Sequence, residues 1–476
     1  MAELHELTAH EQWRALQSGE TSPTELARHY LDRIERLNPS LGAFVTVTRG
    51  LAEARAASLP GTVDRTAELW GLPIGDKDLW LRAGVPAGMG SRLFAGHVPE
   101  TSDEIVETLD AAGAISLGKT NTPEFGLPAY TEPVATGPAR NPWDPALGAG
   151  GSSGGAAVAV AAGMLPFAPG SDGGGSIRIP AAACGLVGLK PSRGRVPSGS
   201  GLDSLAGLVV AGPLARTVAD AALLLEGMIR RTASGRPDHH FAVRAPREDE
   251  GPFLAAAVRG EGRFQLGVMT TSAWDADYPI AIHPDARTAL DRAVAEFASI
   301  GHGIEETALR PDPTYGPAFR TIWQAGAARI PAEEDQLERL EPLTSWLVRR
   351  GRALSARELA EALSALALFE RSFIEQLSRF DAVITPALAD TPRPIGWFDR
   401  ADAEHDFAQQ VLYTPFTSMV NVSGLPAIVL PVDQTAAGLP MGVQLIGRPG
   451  GERTLLALGA QLERRLRWAD RHPVCW

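Results

Sequence analysis

Apolar side chains recur along this chain with two different periods, and the switching between them predicts its architecture. Leu26, Tyr30, Ile34 and Leu37 fall at helical spacing behind Ser22, Pro23 and Glu25. Ser22 is placed to cap the first free amides, Pro23 suits a first-turn position whose N–H has no partner anyway, and Glu25 completes a capping box. Residues 22–37 therefore read as an amphipathic helix lying on the core. From Ala43 onward short apolar runs alternate with helical ones: a helix over 103–112 is followed by a strand over 114–117, and strand character returns at 382–386 and 427–431. Residues 311–377, approximately, are richer in charge and in helical periodicity. The alternation predicts an α/β fold carrying a helical excursion. No internal repeat or low-complexity linker divides the chain, and the polar stretch 230–251 reads as a surface connection within one domain covering 1–476.

Composition narrows what such a fold acts on. The 476 residues are 44% hydrophobic, enough to bury a sizeable core and an enclosed site. A net charge of −12 gives no general attraction to polyanions, and no basic run is interleaved with aromatics, so nucleic acid is not an expected partner. Cys184 and Cys475 stand too far apart in sequence to suggest a disulfide framework or paired metal ligands; a reduced cytoplasm and no metal are expected. The first twenty residues lack the basic start and apolar centre of a secretory signal. The most apolar stretch, 156–168, is too short to span a bilayer and Pro166 interrupts it, so no membrane association is expected. A homodimer is compatible with the sequence, which does not fix an oligomeric state.

The chemistry concentrates in residues 150–190. Gly150-Gly151-Ser152-Ser153-Gly154-Gly155 opens the run, and Ser171-Asp172-Gly173-Gly174-Gly175-Ser176-Ile177-Arg178 follows, so that Ser152 and Ser176 lie 24 residues apart. Glycines let backbone amides approach a substrate closely, and consecutive free N–H groups form anion nests or oxyanion holes. One such loop reads equally well as a flexible turn; two, together with a lysine upstream, say more. Only Lys77, Lys119 and Lys190 interrupt an otherwise all-arginine set of 44 basic residues. Arginine supplies fixed positive charge, whereas a site that needs a neutral amine must keep lysine.

These segments, with Cys184-Gly185-Leu186-Val187-Gly188-Leu189-Lys190-Pro191 and Gly71-Leu72-Pro73-Ile74-Gly75-Asp76-Lys77-Asp78, resemble the amidase signature family. Fainter similarity, at Gly118-Lys119-Thr120-Asn121 and over 440–448, extends the resemblance across nearly the whole chain. It implies an amidase signature fold, a large twisted mixed β-sheet covered by helices on both faces. It also implies a Ser–cis-Ser–Lys triad with Ser176 as nucleophile, Ser152 as the bridging serine behind a cis peptide and Lys77 as base. The backbone of Gly173, Gly174, Gly175 and Ser176 is the implied oxyanion hole, with Ser153, Ser171, Asp172 and Arg178 in support. The activity so implied is hydrolysis of the C–N bond of a small-molecule carboxylic amide through an acyl-enzyme, extending to esters or carbamates and needing no cofactor. A glutaminase subunit of an amidotransferase is the alternative activity, and a non-catalytic binding protein on the same fold the alternative class.

Elementary chemistry sets conditions on that assignment. A lysine of ordinary pKa is almost wholly charged at neutral pH, so a lysine base requires a downward shift of roughly 3 to 4 units, about 5 kcal/mol, supplied by burial away from anions. Asp76 and Asp78 flank Lys77, but in an extended segment both point to the opposite face. None of the ten histidines falls within the motifs. Arg178 is expected to hold the loop through Asp172 rather than to bind a substrate carboxylate, and Lys119 and Lys190 to be structural. Two features depart from the family pattern. Gly173 replaces a side chain there, which suggests room for a bulky acyl group, and Ile179 stands where transamidating subunits commonly carry glutamine. Residues 113–120 match P-loop spacing, but strand character inside the motif and Pro123 after it argue against nucleotide binding. Ser152 also fits a nucleophile-elbow spacing, without an evident histidine or acid partner. Phe319, Trp323, Trp346, Trp397 and Tyr413 are candidates for an acyl pocket, most of them better read as core.

Overall fold

The computed structural model describes residues 3–197, 204–229 and 251–476; the surface connection read at 230–251 lies almost entirely outside them. Two sheets organise the described residues. The smaller has three strands, β1 (Phe44–Val47), β2 (Pro73–Lys77) and β3 (Ile115–Thr120), with β3 central, antiparallel to β1 and parallel to β2. The larger has eight: β4 (Phe167–Asp172), β5 (Val187–Lys190), β6 (Val210–Ala215), β7 (Gln265–Met269), β8 (Gly303–Thr307), β9 (Ala382–Pro386), β10 (Ala427–Gln434) and β11 (Pro440–Gly447). Its spatial order is β4-β6-β5-β10-β11-β9-β7-β8. Pairing is antiparallel from β4 through to β9 and parallel from β9 through β7 to β8, which makes the sheet mixed.

Burial explains where the helices go. Every residue of β11 and Ala427–Val432 of β10 are buried, so both faces of the sheet centre are covered. Helix Arg178–Cys184 packs on β5, β10 and β11, while Pro284–Ile300 and Glu452–Leu466 pack on β10, β11 and each other. The charged, helix-periodic segment forms Tyr315–Ala327, Pro342–Arg352 and Ala356–Leu377, with a 3₁₀ turn at Glu334–Arg339. These helices enclose a second apolar cluster around Phe369, Phe373 and Leu347, which reaches the sheet through Val383, Ala427 and Ile446.

Several local readings are met. Ser22 and Glu25 form the reciprocal capping box of helix Pro23–Leu41, a few residues longer than the pattern suggests. The helix at Glu104–Ala111 precedes β3, which runs three residues past the expected 114–117. That extension disposes of the P-loop spacing: Gly118, Lys119 and Thr120 are strand residues. Gly118 sits at φ +150°, and a Cβ there would fall 2.0 Å from the Thr46 carbonyl oxygen, so close strand packing is what requires glycine. The alanine-rich segment after the first glycine loop is helix Gly154–Ala161, buried along its whole length. Its glycines are needed for proximity, since a Cβ on Gly155 would meet the Asn121 amide nitrogen at 2.2 Å.

Candidate active site

Lys77 ends β2 with its side chain wholly buried. Its Nζ lies 2.9 Å from Ser152 Oγ, 2.9 Å from Ser171 Oγ and 3.3 Å from the Ser171 carbonyl oxygen. Burial pushes its pKa down to about 7, against the pull of the Asp172 carboxylate. The flanking acids are engaged elsewhere. Asp76 accepts from Arg82 Nε at 2.6 Å and from Ser116 Oγ at 2.8 Å, and Asp78 pairs with Lys119 at 3.4 Å and accepts the Gly88 amide at 3.1 Å. Lys119 also donates to the Trp80 carbonyl. Lys190 is likewise brought down to about 7, by burial and then by Arg178, but its Nζ donates to the Pro191 carbonyl and reaches no serine.

The two glycine loops meet over this lysine. Ser152 follows a cis peptide from Gly151. Ser153 joins the loops twice: its amide donates to the Ser176 carbonyl at 3.1 Å, and its hydroxyl donates to the Ser171 carbonyl at 3.2 Å. Ser152, Ser171, Gly173 and Ser176 line one cavity, so the sequence-expected residues converge on one space. His405, by contrast, sits against Asp399 at the surface and His472 stacks on Trp476, which leaves the nucleophile-elbow reading without a base at Ser152.

Asp172 and Arg178 shape the second loop from behind. Asp172 is fully buried; desolvation alone would raise its carboxyl, but Arg178 holds it well below the usual carboxylate range. Its Oδ1 accepts the Gly175 amide at 2.8 Å and its Oδ2 the Ile177 amide at 3.1 Å. All five N–H donors of Arg178 are used: two on Asp172, and one each on Asn421 Oδ1, Gln444 Oε1 and the Thr417 carbonyl. None remains for a substrate carboxylate, so Arg178 is part of the scaffold. The Gly175 amide, expected at the outset among the oxyanion donors, is instead committed to Asp172. Thr417 Oγ1 donates to the Gly174 carbonyl at 2.6 Å, so the peptide between Gly174 and Gly175 is pinned at both its C=O and its N–H. Thr417 and Asn421 carry no motif signal, and Gln444 lies in the fainter similarity over 440–448 without any role suggested there; all three are found because the chain folds back over the loop.

Space around Ser176 is divided into two lobes. One, of about 60 Å³, is lined by Gly174, Ser176, Trp274, Phe319, Phe407 and Val411 among others. The other, of about 210 Å³, includes Ser152, Gly173, Val209, Gly326 and Ala327 in its wall. Leu127, Ser176 and Trp323 border both. Of the five aromatics named from sequence, Phe319 and Trp323 line the site. Trp346 lines a separate cavity, and Trp397 and Tyr413 pack edge-on against Phe398 in the core. Trp274 and Phe407, which do line the site, were missed because nothing local distinguishes them from core aromatics. Gly173 faces the wider lobe, beside Val209 and Trp323. No group of acidic, histidine or cysteine side chains suited to a metal occurs among the described residues, and no described helix is long and apolar enough to cross a membrane.

A family model described as Amidase matches residues 25–456. A putative amidase, AmiB2, of Mycobacterium tuberculosis is 39% identical over 470 residues, covering 97% of this chain and 96% of its own. A glutamyl-tRNA(Gln) amidotransferase subunit from a Geobacter species is 34% identical over 496 residues, covering 98% of each chain. The solved structure of 6-aminohexanoate cyclic dimer hydrolase complexed with substrate superimposes with a TM-score of 0.90 at 30% identity, covering 99% of both chains.

Proposed function

The chain belongs to the amidase signature family, as an amidase acting on amides, and from that premise we propose that it is a stand-alone serine amidohydrolase working through a Ser176 acyl-enzyme as one catalytic domain. The observation that carries the reading is the 2.9 Å contact between Lys77 Nζ and Ser152 Oγ, made by a buried lysine whose pKa lies at about 7. A lysine so placed is neutral in a large fraction of molecules at physiological pH and can accept a proton.

The steps follow from the groups present. Neutral Lys77 draws the Ser152 proton, and Ser152 draws that of Ser176 as its Oγ bonds to the substrate carbonyl carbon. The carbonyl electron pair moves to oxygen, where the amides of Gly173, Gly174 and Ser176 hold it. Collapse breaks the C–N bond while Ser152 passes a proton to the departing nitrogen and is reprotonated by Lys77. Water, deprotonated through the same relay, adds to the Ser176 ester carbonyl; collapse breaks the bond from the acyl carbon to Ser176 Oγ, the relay returns its proton to that oxygen, and the acid leaves. Esters and carbamates meet the same machinery and fall within its reach. A glutaminase role, as in the Geobacter relative's name, fits this chain less well: Trp274, Phe319, Phe407 and Val411 offer nothing to the charged end of glutamine. Ile179 replaces the glutamine common in such subunits.

Release of ammonia, amine and acid from a panel of amides, esters, carbamates and glutamine tests the proposal. Activity on apolar amides is expected, lost in Ser176→Ala; release from glutamine alone would establish the amidotransferase reading instead, and a silent wild type the binding-protein one.

A further inference from the structure

We propose that the two lobes sort the substrate by size, the narrow one taking a short, uncharged acyl group and the wide one a bulky, ring-bearing amine. The preferred substrate class is then short-chain acyl amides of aromatic or similarly large amines. The assignment rests on the relay proposed above.

Proton delivery fixes which lobe is which. The departing nitrogen takes its proton from Ser152 Oγ, so it must lie within hydrogen-bond reach of that atom, and the rest of the amine extends from there. Ser152 lines only the wider lobe, which also holds Ser171 and Gly173; the narrow lobe opens past Gly174 and Ser176 on the other side. The acyl chain, leaving the carbonyl carbon away from the nitrogen, enters the narrow lobe.

Volume then selects the groups. An apolar cavity of about 150 Å³ accepts a benzene ring. The wider lobe, about 210 Å³, exceeds that, with Leu79, Leu208, Val209 and Trp323 to face a ring and Ser204 and Arg329 as polar wall members, whereas the narrow one, about 60 Å³, holds only a few carbons. The narrow lobe is also electrically quiet. Its Gln410 accepts the Ala129 amide and donates to Asp406, and its Ser418 hydroxyl is taken up by Trp274 Nε1 and the Tyr315 hydroxyl. A charged acyl group would find no partner there.

One helix face builds the division. Phe319, Ile322, Trp323, Gly326 and Ala327 recur at helical spacing along Tyr315–Ala327. Phe319 faces the narrow lobe, Trp323 both, and Ile322, Gly326 and Ala327 the wide one. Gly326 keeps the wide lobe open without any packing need: a Cβ there would meet nothing within 4 Å.

The test crosses acetyl, butyryl and hexanoyl groups with methylamine, aniline and naphthylamine, using wild type, Gly326→Phe and Val411→Ala. Gly326→Phe is expected to lower the naphthylamide-to-methylamide ratio of kcat/KM at least tenfold and leave the acyl-length profile in place. Val411→Ala is expected to raise the hexanoyl-to-acetyl ratio at least tenfold and leave the amine profile in place. Exchange of the two effects, or unchanged profiles in both variants with thermal melts intact, overturns the lobe assignment. Intact-mass detection of an acyl adduct that Ser176→Ala lacks reads the relay separately; its absence with every panel member overturns relay and assignment together.

Discussion

Lys77 is the residue on which charge, burial and the proposed catalysis meet. Its lowered pKa means that the unfolded chain binds a proton that the folded chain does not, between about 7 and lysine's ordinary 10.5. Stability therefore rises with pH through that window. Lys190 titrates over the same range, so the two lysines together contribute a slope of at most about 2.7 kcal/mol per pH unit. In Lys77→Met the slope is expected to fall by half in urea titrations, and stability at pH 7 to increase by up to a few kcal/mol, because a buried amine is replaced by a side chain of similar length without one. The same variant should lose about 10²–10⁴ in kcat/KM, and Lys77→Arg should fare no better, since a guanidinium does not give up its proton. Wild-type kcat/KM is expected to climb with pH up to about 7 and then level. Lysine scarcity made this residue legible in the sequence. Scarcity did not separate Lys77 from Lys190, which shares its burial and its shift; the motif resemblance over 71–78 did, and the serine hydroxyl at 2.9 Å agrees with it.

At the level of elements, what could be read was whatever local pattern dictates. The Ser22 cap, the strand at Ala382–Pro386 and the two glycine loops all follow from neighbours within a few residues. The support of the second glycine loop was not legible, because Thr417, Asn421 and Gln444 come from more than 200 residues away and look like ordinary polar positions. On the proposed mechanism Thr417 is a positioning residue: its hydroxyl donates to the Gly174 carbonyl and so fixes the amides beside it. Thr417→Val keeps the shape and leaves that buried carbonyl without its donor, a loss of about 1–3 kcal/mol in the loop. We expect kcat to fall roughly 10- to 100-fold with KM little changed, since the loss acts on oxyanion stabilisation rather than on ground-state binding. Thr417→Ser should recover most of it. An equal rise in KM, or no rescue by serine, would refute the positioning role. Gly173 carries a related lesson. Its sequence suggested room beside an acyl group, whereas under the proposed lobe assignment its place in the wide lobe gives that room to the amine, so Gly173→Thr is expected to lose bulky amines first.

Across the whole molecule the arginine bias takes on a physical meaning. All three lysines are buried to 0% exposure, and no other lysine occurs anywhere in the sequence. The positive surface charge is therefore carried by guanidinium groups, which keep their protons and are poor nucleophiles at neutral pH. Burial lowers the pKa of Lys77 and Lys190 to about 7 but also keeps reagents from them, and an opening that admits a reagent returns both to the ordinary amine range. Folding is what shields them. A bulky amine-reactive ester applied to the native protein at pH 7.5 is thus expected to leave Lys77, Lys119 and Lys190 unmodified, and the same reagent in denaturant to label all three, located by peptide mapping. Because labelling requires opening, its rate on the native protein follows local unfolding around each lysine. Lys77 links the small sheet to both glycine loops, through Ser152 of the first and Ser171 of the second, so an acyl group held on Ser176 that tightens this junction should slow labelling of Lys77 more than that of Lys119. Equal slowing at both would mean that the acyl-enzyme stabilises the fold as a whole rather than at the junction.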